Sequence, residues 1–168
     1  ICFLVTLLNE HTGGRSNQLL FVTYHSSFKD PLTYVRFFTH VFGHSGWDHF
    51  LGNMTYILLL GPMLEEKYSS KNILKVFLIT ALVTALINYI FFPGVGLCGA
   101  SGIAFAFIVM TSFTGFRSGD IPLTFLLVAA VFIGQQVYEG ITLQDNISHM
   151  AHIVGGIIGA IVGFKWNK

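Results

Sequence analysis

The chain has 168 residues, of which 53% are hydrophobic and 10% charged, and its formal net charge is +1. Soluble domains carry about 25% charged residues, so this composition excludes an ordinary water-soluble globule, and the near-neutral balance offers no basic surface for nucleic acid. Cys2 and Cys98 show no paired or metal-ligating spacing, which excludes a disulfide scaffold.

The length allows one domain, residues 1–168. Ile1–Leu8 is apolar but too short to span a bilayer, and reads as a first transmembrane helix trimmed at its start. Residues 9–45 form a long, mixed, aromatic-rich loop interrupted by Gly13-Gly14 and Asp30-Pro31. This loop is too polar to span and is expected to lie on the outer membrane surface, with short amphipathic pieces. Five later segments approach or meet the roughly 20 apolar residues that a spanning helix needs. They are Trp47–Leu64, Ile73–Phe92, Leu97–Phe116, Ile121–Tyr138 and Ile147–Phe164. The expected architecture is therefore all-α, a polytopic bundle of six transmembrane helices.

Orientation follows from Lys and Arg in the short loops. Lys67, Lys71, Lys75, Arg117, Lys165 and Lys168 all fall on one side, while the opposite short loops, Pro93–Gly96 and Glu139–Asn146, hold neither residue type. Both termini are expected in the cytoplasm and the first loop outside.

Ionisable and amide side chains inside spans are costly and usually functional. Here they gather at one depth. At 1.5 Å per residue, Ser101 lies about 24 Å above Arg117 and His152 about 20 Å above Lys165. His49 and Asn53 lie about 24 and 18 Å above Glu65 by the same count. All four fall in the outer part of a core roughly 30 Å thick. His49 and Asn53 are four residues apart and share a helix face. His152 shares a face with Gly155, Gly156, Gly159 and Gly163, a spacing that lets a neighbouring helix approach closely. Gly102 and Ala104 beside Ser101 are small enough to receive it. Each feature has a plainer reading. A membrane Ser usually bonds back to its own helix, a lone His is usually a packing or proton-relay group, and a glycine stripe is usually structural. Co-occurrence at one depth is what points to a site.

Further motifs complete the pattern. Arg36-Phe37-Phe38-Thr39-His40 follows Val35; His44, His49 and Asn53 form H-x-x-x-x-H-x-x-x-N; Glu65 and Glu66 end the second span; Gly99-Ala100-Ser101-Gly102 reads G-x-S-G; and Ala151-His152-Ile153-Val154-Gly155 reads A-H-x-x-G. In this order the motifs resemble those of the rhomboid family of intramembrane serine proteases. The resemblance implies a Ser101–His152 dyad without a third acid. It also implies an oxyanion site built from the Ser101 backbone amide and the side chains of His49 and Asn53. Gly99, Gly102, Phe105, Gly155 and Gly159 would support that site, with Phe105 stacking on the base where many members have Tyr. Val35 stands where the first-loop motif has Trp, and His149 reads as a residue at the mouth.

The implied activity is hydrolysis of peptide bonds in membrane-anchored proteins, with the lipid bilayer as surroundings and no cofactor, metal or nucleic acid. The implied location is a bacterial inner membrane, with the site open to the extracytoplasmic side, from which water must enter. The fifth span, with Glu139–Asn146 as a lid, is the expected substrate gate. Two rivals remain from other classes. A metalloprotease could use His40, His44, His49, His149 and His152, but no H-E-x-x-H is present. A proton- or metal-coupled carrier would explain buried His and Asn but not the Gly99–Gly102 turn, and no inverted repeat is visible.

Overall fold

The computed structural model describes residues 1–114 and 149–166, with residues 123, 126, 127, 130 and 134 between them. The elements in chain order are α1 (Cys2–His11), a π-helical turn (Asn17–Phe21), α2 (Pro31–Thr39), a 3-10 turn (His40–Phe42), α3 (Trp47–Tyr68), α4 (Ser70–Phe91), α5 (Ser101–Thr111) and α6 (His149–Trp166). Among the described residues no strand forms beyond one isolated bridge, Thr23 to Leu97. The all-helical expectation holds for these residues.

Helices α4 and α6 contain 22 and 18 residues, and among the described residues these two are long and apolar enough to cross a membrane. At 1.5 Å per residue α4 is about 33 Å long, close to the depth of the hydrocarbon core. Helix α3 is equally long at 22 residues. Its apolar stretch is shorter, because Asp48, His49 and Asn53 occupy one end and Glu65, Glu66 and Lys67 the other. Side chains turned away from the bundle, such as Leu58, Leu59, Ile79, Ile90, Ile157 and Ile161, are exposed and apolar, as surfaces facing hydrocarbon must be.

Helix α5 departs furthest from expectation. The sequence predicts a span over Leu97–Phe116, whereas the helix runs only from Ser101 to Thr111, 11 residues and about 16 Å. Three contacts hold its approach out of helical geometry. Leu97 exchanges backbone hydrogen bonds with Thr23 at 2.9 and 2.8 Å. The Gly99 N–H donates to the His40 carbonyl at 2.9 Å. Gly99 itself has φ of +117°, a conformation closed to residues with a side chain. At its other end Lys67 Nζ donates to the Thr114 carbonyl at 2.5 Å, a cation on the exit of a helix. Of the predicted fifth span, Leu123, Leu126, Leu127, Ala130 and Gly134 are helical; the rest of it and the loop Glu139–Asn146 lie outside the described residues.

The first loop is more ordered than its composition suggests. Asp30-Pro31 starts α2, with the Asp30 carboxylate accepting from Leu32 N–H at 3.0 Å and Pro31 at the position where a missing N–H costs nothing. Arg36 is 3% exposed. It donates to the Leu19 carbonyl at 2.9 Å and to Asp30 at 3.1 Å, and its guanidinium lies 4.7 Å from the centre of the Tyr24 ring. His40 joins the loop to the bundle, its Nε2 lying 3.0 Å from the Ala81 carbonyl on α4. Burial pushes the His40 imidazole down to about 4, so it is neutral at physiological pH.

Among the described residues, helices α5 and α6 form the most extensive helix pair. A Cβ added at Gly155 would sit 2.0 Å from the Gly102 carbonyl oxygen, and one at Gly159 would sit 2.4 Å from the Ala106 carbonyl oxygen. At Gly155 and Gly159 the expected glycine face is thus a backbone-to-backbone seam, and at Gly163 it meets the Phe113 ring. The buried cluster around it takes Leu64 from α3, Val76 from α4, Ile103, Phe107 and Met110 from α5, and Ile158 from α6.

Candidate active site

Ser101 is the first residue of α5, with Ala100 as its N-cap. The opening N–H groups of a helix have no intrahelical partner and carry partial positive charge. The turn leading into Ser101 is therefore a natural place for negative charge to develop.

The positive φ of Gly99 carries this turn directly beneath α3. A Cβ there would lie 2.6 Å from both Cε1 and Nε2 of His49 and 3.5 Å from Nδ2 of Asn53. The shared helix face of His49 and Asn53 therefore meets the serine turn. Asn53 is 6% exposed, and its Nδ2 has no hydrogen-bond partner. An unsatisfied buried donor costs about 1–3 kcal/mol, which a bound oxygen could offset. The opposite side of the His49 ring faces Ser45, whose Oγ lies 3.1 Å from Nδ1.

His152 enters from α6 and is 9% exposed. Its ring packs on Phe105 of α5 with centroids 4.4 Å apart and planes at 38°. His149 lies one turn earlier with its ring 6.1 Å from that of His152. The Gly102–Gly155 contact is one residue from Ser101 and three from His152. This close approach of two backbones brings the two side chains to one place.

Ser101, His152, His49, Asn53 and Phe105 line a common cavity of about 500 Å³. No hydrogen bond joins Ser101 and His152 directly; such pairs are often long in unliganded sites and tighten when substrate binds. Gly102, Gly155 and Gly159 stand behind the site in the seam, and Gly99 lies against His49 and Asn53. His40, turned to α4, takes no part in the lining. Among the described residues no three His, Cys, Asp or Glu side chains form a group that could hold a metal.

Asp48, Tyr56 and Cys98 are among the lining residues that were not singled out in the sequence. Asp48, the neighbour of His49, is exposed and borders the cavity. Tyr56 lies two turns further down α3, and a count of four from Gly52 would have found it. Cys98 lines the cavity because the strand-like approach to Gly99 turns it inward, which helical counting over Leu97–Phe116 could not foresee.

Gly99→Ala should lower turnover about a hundredfold or more, since displacement of a catalytic group by 1 Å costs about that much. Both the His49 clash and the positive φ act against the added methyl. Initial rates per folded molecule, with folding followed by thermal unfolding in detergent, check this.

A family model, the Rhomboid domain, matches residues 31–167. The chain belongs to the rhomboid family. Rhomboid-related protein 2 of Mus musculus is 30% identical over 157 residues, covering 81% of this chain and 52% of its own. Rhomboid-related protein 1 of Caenorhabditis elegans is 28% identical over 138 residues, covering 77% of this chain and 39% of its own. Rhomboid protease GlpG of Haemophilus influenzae is 22% identical over 173 residues, covering 100% of this chain and 88% of its own. The chain thus spans about half or less of the length of the two animal relatives.

Proposed function

We propose that the chain is an intramembrane serine endopeptidase that hydrolyses peptide bonds in or near the transmembrane segments of membrane-anchored proteins. The observation that carries this reading is the cavity shared by Ser101 at a helix N-terminus, His152 from the facing helix, and two side chains from a third helix that can donate hydrogen bonds. Family membership and the similarity to rhomboid protease GlpG support proteolysis as the class of activity.

The chemistry runs on these residues alone. A serine hydroxyl is a weak nucleophile and needs a base. Neutral His152 takes the Ser101 proton as Oγ attacks the substrate carbonyl, then returns it to the leaving amine. The tetrahedral oxyanion is held by the Ser101 N–H, Asn53 Nδ2 and His49 Nε2, donors already in place in a site poor in water. Water then attacks the acyl-enzyme, with His152 again as base. The Phe105 ring holds the imidazole in plane with this task. Labelling with a fluorophosphonate probe, insensitive to chelators and mapped to Ser101 by peptide analysis, tests the reading. Labelling elsewhere, or chelator inhibition reversed by zinc, would refute it.

Asn53→Ala separates an oxyanion role from a structural one. Loss of one such donor costs on the order of 10²–10³ in rate. Turnover should fall by that factor with apparent substrate affinity little changed, because the charge appears only in the transition state. A fall in thermal stability with unchanged turnover per folded molecule would make Asn53 a structural tie.

The site needs water, and the charge pattern turns the cavity away from the cytoplasm. Alkaline phosphatase fused near Gly140 should be active and fused near Gly119 inactive. The reverse result would overturn the orientation.

A further inference from the structure

Neutral imidazole carries one proton, and whichever nitrogen holds it becomes the donor while the other becomes an acceptor. For His49 this choice decides whether Nε2, the atom lying over the Gly99 turn, presents a hydrogen or a lone pair to a developing oxyanion. The other nitrogen, Nδ1, faces Ser45. Two groups of that residue approach it: the hydroxyl at 3.1 Å and the backbone N–H at 3.5 Å. A backbone N–H can only donate. With the proton on Nδ1, two hydrogens would oppose each other there, and the Nε2 lone pair would face the oxyanion. With Nδ1 as acceptor both contacts are attractive, and Nε2 carries its hydrogen toward the site occupied by Asn53 Nδ2.

We propose that Ser45 is a positioning residue that holds Nδ1 of His49 as an acceptor and so keeps the Nε2 proton aimed at the oxyanion; the proposal rests on the oxyanion role of His49 given above. The tautomer of a histidine is commonly set in this way, by the partner of the nitrogen that does not act. Ser45 lies just before α3, and its exposed hydroxyl competes with water, so its effect is smaller than that of a buried donor.

The fluorophosphonate reaction tests this without knowledge of the natural substrate. Ser101 Oγ forms a bond to phosphorus, fluoride leaves, the serine proton passes to His152, and the phosphonyl oxygen gains negative charge on the way. Labelling rates should be compared for Ser45→Ala, Ser45→Thr, His49→Ala and the Ser45→Ala/His49→Ala pair, each checked for folding by thermal unfolding. Ser45→Ala should slow labelling roughly three- to tenfold, the range expected for one hydrogen bond. Ser45→Thr, which keeps the hydroxyl, should recover most of that loss. With His49 already Ala, removing the Ser45 hydroxyl should change nothing, since a residue that acts only through His49 has nothing left to act on. Equal slowing by Ser45→Ala in both backgrounds, or no slowing in the wild-type background while His49→Ala is slow, would overturn the Ser45 assignment alone. A wild-type rate in His49→Ala would instead overturn the oxyanion reading beneath it.

Discussion

Replacing Ser101 with Ala, or His152 with Ala, should abolish cleavage of a transmembrane substrate reconstituted in liposomes. In a comparable serine hydrolase, loss of the nucleophile or the base alone costs about 10⁶ in turnover, nearly as much as losing the whole catalytic unit. The same non-additivity is expected here: the Ser101→Ala/His152→Ala pair should be no slower than either single variant. Both should fold. Ser101 sits at the first position of α5, half-buried, where Ala is compatible with the helix. The His152 ring borders an open cavity, so its removal enlarges a space that already exists. The assay needs cleavage rates and unfolding temperatures from the same preparations. Retained cleavage in Ser101→Ala would remove the nucleophile and the proposed mechanism with it.

Gly159→Leu should lose nearly all activity for a different reason, because it removes no catalytic group and instead moves the helix that carries one. The Cβ of any other residue at 159 would fall 2.4 Å from the Ala106 carbonyl oxygen, and at 155 only 2.0 Å from that of Gly102. These are backbone atoms inside a helix and cannot swing aside. α6 must retreat, and His152 retreats with it. Displacement near 1 Å costs about a hundredfold in rate, so Gly155→Ala and Gly159→Ala should already reach that level and Leu should exceed it. A spin-label distance between α5 and α6 should lengthen in step with the loss. Full activity in Gly159→Leu would mean that the helices do not pack through this face in the membrane.

The membrane-embedded class was legible in composition, because a chain with so few charges and such long apolar runs has no stable home in water. α4 and α6 were legible for the same reason: a continuous apolar stretch carries its own signal. That Ser101, His152, His49 and Asn53 would come near one another was legible too, since polar groups stand out in such runs and helix rise converts sequence position into height; the four line one cavity. The Asp30 cap was readable only in hindsight, as the same Asp-Pro pair can stop a chain or start a helix.

What the tertiary structure alone decided is where α5 begins, and so where the nucleophile stands. Leu97 to Phe116 is largely apolar, and although the Gly99–Gly102 turn marks a local irregularity, nothing local in it fixes how the first four residues run. They are held by Thr23 and by the His40 carbonyl, each more than fifty residues away along the chain, and hydrogen bonds between distant backbones leave no mark in local hydropathy. The same holds for the His49 ring above Gly99, for Asp48 at the cavity rim and for Ser45 against Nδ1. Helical counting places a side chain on a face, but which neighbour covers that face depends on how closely the helices approach. Here that approach is set by glycines whose missing side chains admit a carbonyl oxygen.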